Sequence, residues 1–340
     1  MKKLSLLLVL TVFLTFYNPA FESTAGEGQA HLPSESPTAQ GEAALLYSLE
    51  SDNDKIINIF NVDNSFYFTS SAHFNGHMGE LKEVVPNPSS TSKLLVNKDN
   101  PLPGNYEPEG LTAISSGKVR LEYAGLKLIP PTLNALYSMV AAARKDGVKG
   151  FIINSAYRSL ASQQQIFDAN LNSYKKTSKT MEEAIEKTRL LVALPGNSEH
   201  HTGLAIDIFS INGRHRDDFE GTREQVWLNG NLYKYGFIIR YPRDKTKETN
   251  STYEPWHIRY VGLPLSSYMQ EKNLCLEEFY NKLFSDHILE SGSYLFMQVK
   301  AGERVFIDEN LTVDPALERV NSQNMLLTVK KPSNLDRVIF

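Results

Sequence analysis

Apolar residues recur at regular spacing chiefly between residues 93 and 285. One predicted helix carries them on a single face, at Leu133, Leu136, Met139, Val140 and Ala143. Gly147 follows this helix as a C-cap. Thr180 and Glu183 form a capping-box pattern that predicts a second helix through Leu194. Further helices are predicted over 226–235 and 264–283, and strands over 148–153, 203–209, 237–241 and 256–261.

The predicted helices and strands do not follow a strict strand–helix–strand alternation, which favours an α+β fold. Aromatic and apolar residues in 43–78 predict a few short strands, and residues 86–92 predict a second linker, within an N-terminal accessory region over 43–92. Alternating apolar and polar residues in 286–340 predict a small β-rich C-terminal appendage.

The N-terminal segment has the pattern of an export signal. Lys2 and Lys3 precede an apolar run over 4–17, which is short for a bilayer span. We therefore expect residues 1–25 to be a signal peptide cleaved after Ala25, with an uncleaved membrane anchor as the alternative. Residues 26–42 are rich in Gly, Ser, Pro, Glu and Gln and predict a flexible tether. The mature protein is then expected outside the cytoplasm, associated with the cell envelope, with no membrane span.

Composition narrows the class of partner. The chain is 41% hydrophobic and 22% charged, an ordinary globular balance. Its net charge is −4 and no basic cluster dominates, which argues against a nucleic-acid partner. Cys275 is the only cysteine, so an intramolecular disulfide is excluded and the fold must rely on its core. The apolar surroundings of Cys275 predict a buried packing residue.

Three side chains carry the chemistry of metal ligands. His200, Asp207 and His257 supply two imidazoles and a carboxylate, a set that zinc accepts in catalytic sites. The offset of seven residues from His200 to Asp207 would place them on opposite faces of a straight strand. A bend at Thr202-Gly203 would bring them together. Composition alone leaves His201 open as the ligand in place of His200.

Glu254 precedes His257 by three residues and is followed by Pro255, which favours an extended backbone there. A carboxylate beside a metal-bound water is suited to general acid–base catalysis. Trp256 would exclude water from such a site, or it would simply belong to the core. Each of these residues, taken singly, also has an ordinary structural explanation.

Four segments, taken together, resemble one peptidase family. Residues 195–207 contain the S-x-H-x-x-G-x-A-x-D order of the LAS metallopeptidases, and residues 254–257 resemble their second signature, E-x-W-H. Residues 155–163 resemble the S-x-Y-R-S-x-x-x-Q segment of the VanY-type D-alanyl-D-alanine carboxypeptidases, and residues 94–103 resemble the entry segment of that group.

The resemblance implies a LAS/hedgehog-type zinc peptidase domain over 93–285, with a small antiparallel sheet flanked by helices. It implies one Zn²⁺ per chain on His200, Asp207 and His257, and it selects His200 over His201 because only His200 stands two residues after Ser198 in the signature. Glu254 is then the implied catalytic acid–base, which assists the attack of a zinc-bound water.

The same resemblance implies a substrate and the residues that contact it. Arg158 would polarise the scissile carbonyl or its oxyanion, and Arg158, Gln163 and Ser198 would bind the substrate. The implied activity is removal of the terminal D-alanine from peptidoglycan stem pentapeptides. Two positions depart from the family pattern. Asn250 replaces a common glycine, although Asn tolerates a left-handed backbone, and Ile258 replaces a common aromatic residue.

Other functions compete with this prediction. The nearest is an L,D-carboxypeptidase that acts on tetrapeptide stems, followed by a D,D-dipeptidase, an endopeptidase and a non-catalytic cell-wall-binding protein. A serine hydrolase based on Ser198 lacks the Gly-x-Ser-x-Gly turn. The sequence leaves open the preferred stem length, the oligomeric state, the roles of 43–92 and 286–340, cleavage of the N-terminal segment, and a resistance rather than a housekeeping role.

Overall fold

The structure, a computed structural model, describes residues 44–50, 57–62, 65–70, 81–87, 90–213, 215–308, 314–331 and 337–339. The predicted signal peptide and tether lie outside these ranges. Within them, no helix combines the length and the apolar character needed to cross a bilayer.

The described strands are β1 (Ala44–Glu50), β2 (Ile57–Val62), β3 (Ser65–Ser70), β4 (Leu81–Glu83), β5 (Thr112–Ala113), β6 (Arg120–Leu121), β7 (Lys127–Leu128), β8 (Phe151–Ser155), β9 (Ala205–Ser210), β10 (Phe237–Tyr241), β11 (Glu254–Tyr260), β12 (Ile288–Ser291), β13 (Tyr294–Lys300), β14 (Arg304–Asp308), β15 (Asp314–Arg319), β16 (Asn324–Lys330) and β17 (Arg337–Ile339). The α-helices are α1 (Pro130–Lys145), α2 (Leu160–Tyr174), α3 (Met181–Arg189), α4 (Arg216–Phe219), α5 (Arg223–Asn231), α6 (Thr246–Thr249), α7 (Leu265–Lys272) and α8 (Leu276–Asp286). Two short 3-10 helices cover Glu199–Thr202 and Leu232–Tyr235.

A five-stranded sheet in the order β10-β11-β9-β8-β6 organises the predicted peptidase region, residues 93–285. Its strands are antiparallel except for β6, which pairs in parallel with β8. The apolar face of α1 packs against this sheet in one hydrophobic cluster, which includes Leu136 and Met139 from the helix and Ile206 from β9. Helices and strands thus form the α+β fold that the sequence predicts.

The boundaries of three predicted helices differ in the structure. The helix predicted over 226–235 begins at Arg223 and continues from Leu232 as a 3-10 helix. Thr180 caps α3 by accepting the Glu183 N–H, as predicted, but α3 ends at Arg189 rather than at Leu194. Leu194 precedes Pro195, and a residue before proline is disfavoured in the α conformation. The predicted helix 264–283 is divided into α7 and α8, because Asn273 has a left-handed backbone with φ of 51°.

Helix α2 was not predicted from the sequence. It buries only Gln163 and Phe167, so it lacks a regular apolar stripe, and its start is fixed by Ser159, which accepts the Ser162 N–H. Cys275 is buried at the start of α8, where burial raises the pKa of its thiol to about 12. It is therefore the packing residue that the sequence predicts.

The two segments outside the predicted peptidase region combine in one β-structure. A six-stranded sheet has the order β17-β1-β2-β3-β14-β4, so it interleaves strands from both ends of the chain. A four-stranded sheet has the order β12-β13-β16-β15. Buried side chains from both sheets, including Phe68 of β3 and Leu327 of β16, belong to one hydrophobic cluster.

The four-stranded sheet is buried on both faces. Along β13, Leu295, Met297 and Val299 join the cluster shared with the six-stranded sheet. Phe296 points the other way and packs with the apolar residues of α7 and α8. This sheet is therefore continuous with the core of the predicted peptidase region.

Candidate metal centre

Asp207 lies on β9, the middle strand of the five-stranded sheet, between two strands that carry polar partners. In the pairing register it stands opposite His257 on β11 and opposite Ser155 on β8. The β8–β9 pairing shifts by one residue between Ile153 and Ser155, and a bulge of this kind re-aims the side chains beyond it. The sheet itself therefore brings Asp207 and His257 together.

His200 approaches the same point from an irregular turn. It lies in the 3-10 helix Glu199–Thr202, and Gly203 ends that helix with φ of 69°, a left-handed conformation that suits glycine. A β-carbon on Gly203 would also lie 3.1 Å from Cγ2 of Ile129. The bend predicted at Thr202-Gly203 is therefore present, and it depends on the glycine.

The three predicted ligands form one compact group. One ligand atom from each of His200, Asp207 and His257 lies within 4.8 Å of the others. His200 Nε2 is 3.3 Å from Asp207 Oδ2, and His257 Nδ1 is 3.1 Å from Asp207 Oδ1. The two imidazole rings are nearly perpendicular, with centroids 4.9 Å apart.

The neighbouring histidine is used elsewhere. His201 Nε2 accepts the Gly196 N–H at 3.2 Å, so Nδ1 carries the proton and donates to the Arg158 carbonyl at 2.7 Å. His200 Nδ1 in turn donates to the Ala156 carbonyl at 2.6 Å, which leaves Nε2 facing the ligand group. Geometry thus separates the two histidines that composition alone did not.

The surroundings shift the pKa values of the three side chains in different ways. Burial and the charge of Arg158 lower the pKa of His200 to about 4. Burial also lowers the pKa of His257, but the carboxylates of Asp207 and Glu199 outweigh it and raise the pKa to about 9. Burial raises the pKa of Asp207, yet the two imidazoles hold it well below its usual value.

The donor set fits zinc. Within the described part of the chain, the buried Nε2 of His200 has no hydrogen-bond partner although it faces Asp207 and His257. A buried polar atom without a partner is costly, and a metal ion held by this nitrogen would satisfy it. Two imidazole nitrogens and one carboxylate are a three-ligand set that leaves a fourth zinc position for water or substrate.

Glu254 opens β11 and faces the same group. The β10–β11 pairing slips between Ile239 and Tyr241, so that Tyr241 stands opposite Glu254. Glu254 Oε2 lies 3.7 Å from His257 Nδ1, and both residues line a cavity of about 570 Å³. A cavity of this size accommodates a small peptide end.

Trp256 also lines the cavity, and its indole stacks on Phe209 with centroids 5.8 Å apart. It is buried and belongs to the hydrophobic cluster beneath the sheet. The residue therefore serves both as core and as cavity wall.

Arg158 is fixed by three acceptors. Its Nη2 donates to Asp207 Oδ2 at 3.2 Å, its Nε to Ser155 Oγ at 3.0 Å, and its Nη1 to Gln163 Oε1 at 2.8 Å. The Gln163 amide uses its nitrogen as well, donating to the Ala193 carbonyl at 2.7 Å. The contacts of Gln163 thus orient Arg158 from within the wall of the cavity.

Ser198 is buried, and it lines the cavity next to His200. It occupies the N-cap position of the 3-10 helix, but its side chain makes no capping hydrogen bond there. All seven predicted site residues thus line one cavity.

Two residues that the sequence did not single out also line this cavity. Tyr241 packs on the His257 ring with centroids 5.1 Å apart, and burial raises the pKa of its hydroxyl. Glu199 is fully buried, and its Oε1 accepts from both Arg240 and Arg259. A sequence signal was available, because arginines inside the apolar strands β10 and β11 require a buried carboxylate partner.

Known proteins resemble this chain over the segment that contains the three predicted ligands. The family described as VanY, D-alanyl-D-alanine carboxypeptidase, matches residues 125–263. A D-alanyl-D-alanine carboxypeptidase of Enterococcus faecalis is 42% identical over 190 residues, which cover 56% of this chain and 66% of the relative. This chain thus spans about two thirds of that relative. The putative carboxypeptidase YodJ of Bacillus subtilis is 39% identical over 235 residues, covering 66% of this chain and 79% of the relative.

Among solved structures, the LD-carboxypeptidase LdcB is 37% identical in sequence with a TM-score of 0.51. The match covers 60% of this chain and 94% of LdcB. The two chains share a fold over the matched region.

Proposed function

Because the chain belongs to the VanY-type D-alanyl-D-alanine carboxypeptidase family of zinc peptidases, we propose that it removes the terminal D-alanine from peptidoglycan stem pentapeptides. The observation that carries the proposal is the convergence of His200, Asp207, His257, Glu254 and Arg158 on one cavity. A binding protein would have no use for the last two residues beside a metal centre.

In this proposal His200 Nε2, a ring nitrogen of His257 and an Asp207 carboxylate oxygen would hold one Zn²⁺ per chain. When bound, zinc supplies Lewis-acid chemistry that polarises a carbonyl group and acidifies water. The protein contributes the orientation of the ligands, through the β9–β11 register for Asp207 and His257 and through the Ala156 carbonyl for His200.

Glu254 is the proposed acid–base. Its carboxylate takes a proton from the attacking water and returns that proton to the amine nitrogen of the leaving D-alanine. Glu254 Oε2 lies 3.7 Å from His257 Nδ1, which supports this role. A carboxylate at this position lies next to the metal ligands, and the set of three ligands is complete without it. Trp256 forms part of the adjacent wall and limits the access of bulk water.

Arg158 is proposed to stabilise the negative charge that develops on the scissile carbonyl oxygen. Its guanidinium is held by Ser155, Gln163 and Asp207, so little reorganisation is needed when charge appears. We assign Gln163 the positioning of Arg158, and Ser198 a contact with the substrate backbone or terminal carboxylate at the cavity wall.

An L,D-carboxypeptidase acting on tetrapeptide stems is the second candidate. It is favoured by the likeness to LdcB, which is an LD-carboxypeptidase by name. The metal ligands and Glu254 would keep their roles, and only the pocket for the penultimate residue would differ.

An extracytoplasmic location belongs to the proposal as well. It is supported by the apolar segment 4–17 behind Lys2 and Lys3, and by the location of mature peptidoglycan outside the cytoplasm. Sequencing the N-terminus of the protein recovered from the envelope fraction tests it, since cleavage is expected after Ala25.

D-alanine release from pentapeptide and tetrapeptide stems, measured in parallel with and without a chelator, tests the proposed activity. Chelator-sensitive release from the pentapeptide alone supports the D,D-carboxypeptidase. Release chiefly from the tetrapeptide replaces it with the L,D-carboxypeptidase. No release from either peptide by zinc-loaded protein refutes both.

A further inference from the structure

We propose that Glu199 is a positioning residue for His257, whose outer Nε2–H it accepts, so that Nδ1 is directed toward the metal. The inference rests on the proposed metal site of His200, Asp207 and His257. It concerns which nitrogen of His257 binds the metal and what holds the ring in that orientation.

The first support is the direction in which each ring nitrogen points. His257 Nδ1 lies 3.1 Å from Asp207 Oδ1, whereas Nε2 lies 3.8 Å from Glu199 Oε2. Both Nε2 and Oε2 are buried, and neither has a hydrogen-bond partner among the residues that the structure describes. Each is thus the other's available partner, and an approach of about 0.6 Å would bring them to hydrogen-bonding distance.

The second support is the anchoring of the Glu199 carboxylate. Its other oxygen, Oε1, accepts from Arg240 Nε at 2.8 Å and from Arg259 Nη1 at 2.7 Å. Both arginines are fully buried, and Arg240 is also paired with Glu277. Two donors on one oxygen hold the carboxylate so that the remaining oxygen faces His257.

The third support is a parallel with the other histidine. A metal-binding histidine generally donates its outer N–H to a carbonyl or carboxylate, which fixes the tautomer and raises the basicity of the ligating nitrogen. His200 has such a partner in the Ala156 carbonyl at 2.6 Å. Glu199 would supply the corresponding acceptor for His257, as a full negative charge.

A purely structural role for Glu199 would be to neutralise the two buried arginines. Glu277→Gln is a matched control for this alternative, because it removes the other carboxylate from Arg240 without touching the metal ligands. In Glu199→Gln the two arginines would donate to the amide oxygen. The NH₂ group of the amide would then face the Nε2–H of His257, and two donors cannot pair. Both variants disturb the buried charges, but only Glu199→Gln disturbs His257.

We expect zinc affinity, measured by competition with a chromophoric chelator, to fall about 10- to 100-fold in Glu199→Gln. We expect it to stay at the wild-type level in Glu277→Gln. Equal losses in both variants, or no loss in either, would overturn the proposal.

A measurement on the wild-type protein keeps the proposal testable even if Glu199→Gln does not fold. Histidine labelled with nitrogen-15 and a bound NMR-active cadmium ion report which nitrogen ligates, through the scalar coupling between them. We expect coupling to Nδ1 of His257 and to Nε2 of His200. Coupling to Nε2 of His257 would refute only the proposed role of Glu199. Coupling to neither histidine would refute the metal site itself.

Discussion

His257 and Asp207 are direct partners across the antiparallel strands β11 and β9, with Nδ1 of the histidine 3.1 Å from Oδ1 of the aspartate. Backbone pairing therefore sets the separation of two of the three proposed ligands. The third, His200, comes from a 3-10 turn that ends at Gly203. The centre thus combines two ligands fixed by a sheet with one whose position depends on a glycine bend.

Glu254 and the three ligands have different proposed roles, which leads to a first prediction. Glu254→Gln removes the proton acceptor but none of the proposed ligands, so we expect zinc to remain bound while kcat falls by about 100-fold or more. Metal analysis and steady-state D-alanine release check the two halves separately. Near-normal turnover in this variant would remove Glu254 from the mechanism.

The adjacent histidines allow a second, paired prediction. His200→Ala deletes a ligand, so we expect purified protein to have lost stoichiometric zinc. His201→Ala deletes only the hydrogen bonds to Gly196 and Arg158, so we expect zinc to be retained with a loss of about 1–3 kcal/mol in the free energy of unfolding. Zinc content and urea unfolding, measured for both variants, test this prediction. Retention of zinc by His200→Ala would exclude His200 as a ligand.

Much of the peptidase region was predictable from local pattern. The helix around Leu136 and the strand 237–241 follow from regular apolar spacing, and the left-handed backbone of Asn250, with φ of 54°, agrees with the tolerance expected of asparagine there. Such elements are set by near neighbours in the chain. Signature spacing likewise identified seven residues that line one cavity.

Features that depend on distant neighbours were not predictable. The register slips at Ser155 and Glu254 leave no periodic sign in the sequence, yet Ser155 contacts Arg158 and Glu254 lines the cavity. The parallel pairing of β3 with β14 joins residues more than two hundred positions apart. Helix α2 escaped prediction because its buried side is short and carries Gln163, a polar residue whose role appears only beside Arg158.

The pKa values of the two histidines predict proton release when zinc binds. In the metal-free protein His257, with a pKa raised to about 9, is protonated near neutral pH, whereas His200, with a pKa of about 4, is not. Zinc must displace the His257 proton, so calorimetry near neutral pH in buffers of different ionisation enthalpy should show release of about one proton per metal. Apparent zinc affinity should then rise with pH and level off above about pH 9.

The sign of the accompanying stability effect follows from the same shift. A raised pKa means that His257 stabilises the metal-free fold fully below the ordinary histidine pKa of about 6.5, and that this contribution is lost as pH rises through about 9. The metal-free protein should lose part of its unfolding free energy over that interval. Proton release near zero would show that His257 is already neutral without metal.

The contacts of Gln163 predict an effect on catalysis without an effect on metal binding. Gln163→Ala frees one side of the Arg158 guanidinium and leaves the ligands intact, so we expect kcat/KM to fall about 10-fold, a modest loss in transition-state stabilisation, at unchanged zinc content. The matched control is Gln164→Ala on the same helix, since Gln164 is exposed and hydrogen-bonds to Asp168. Equal activity in both variants would show that Arg158 does not need Gln163.

Phe296 tests whether the C-terminal sheet is part of the peptidase core. Its ring is fully buried, with centroids 5.2 Å from Tyr268 and 5.7 Å from Phe279, which lie on α7 and α8. Phe296→Ala should cost about 3–5 kcal/mol in unfolding free energy and should lower the temperature at which zinc is released. Val226→Ala, an exposed apolar truncation on α5, should change stability by no more than about 0.5 kcal/mol. If zinc release in Phe296→Ala occurred at the wild-type temperature, the sheet would be an independent attachment, and its packing on α7 and α8 would contribute nothing to the metal centre.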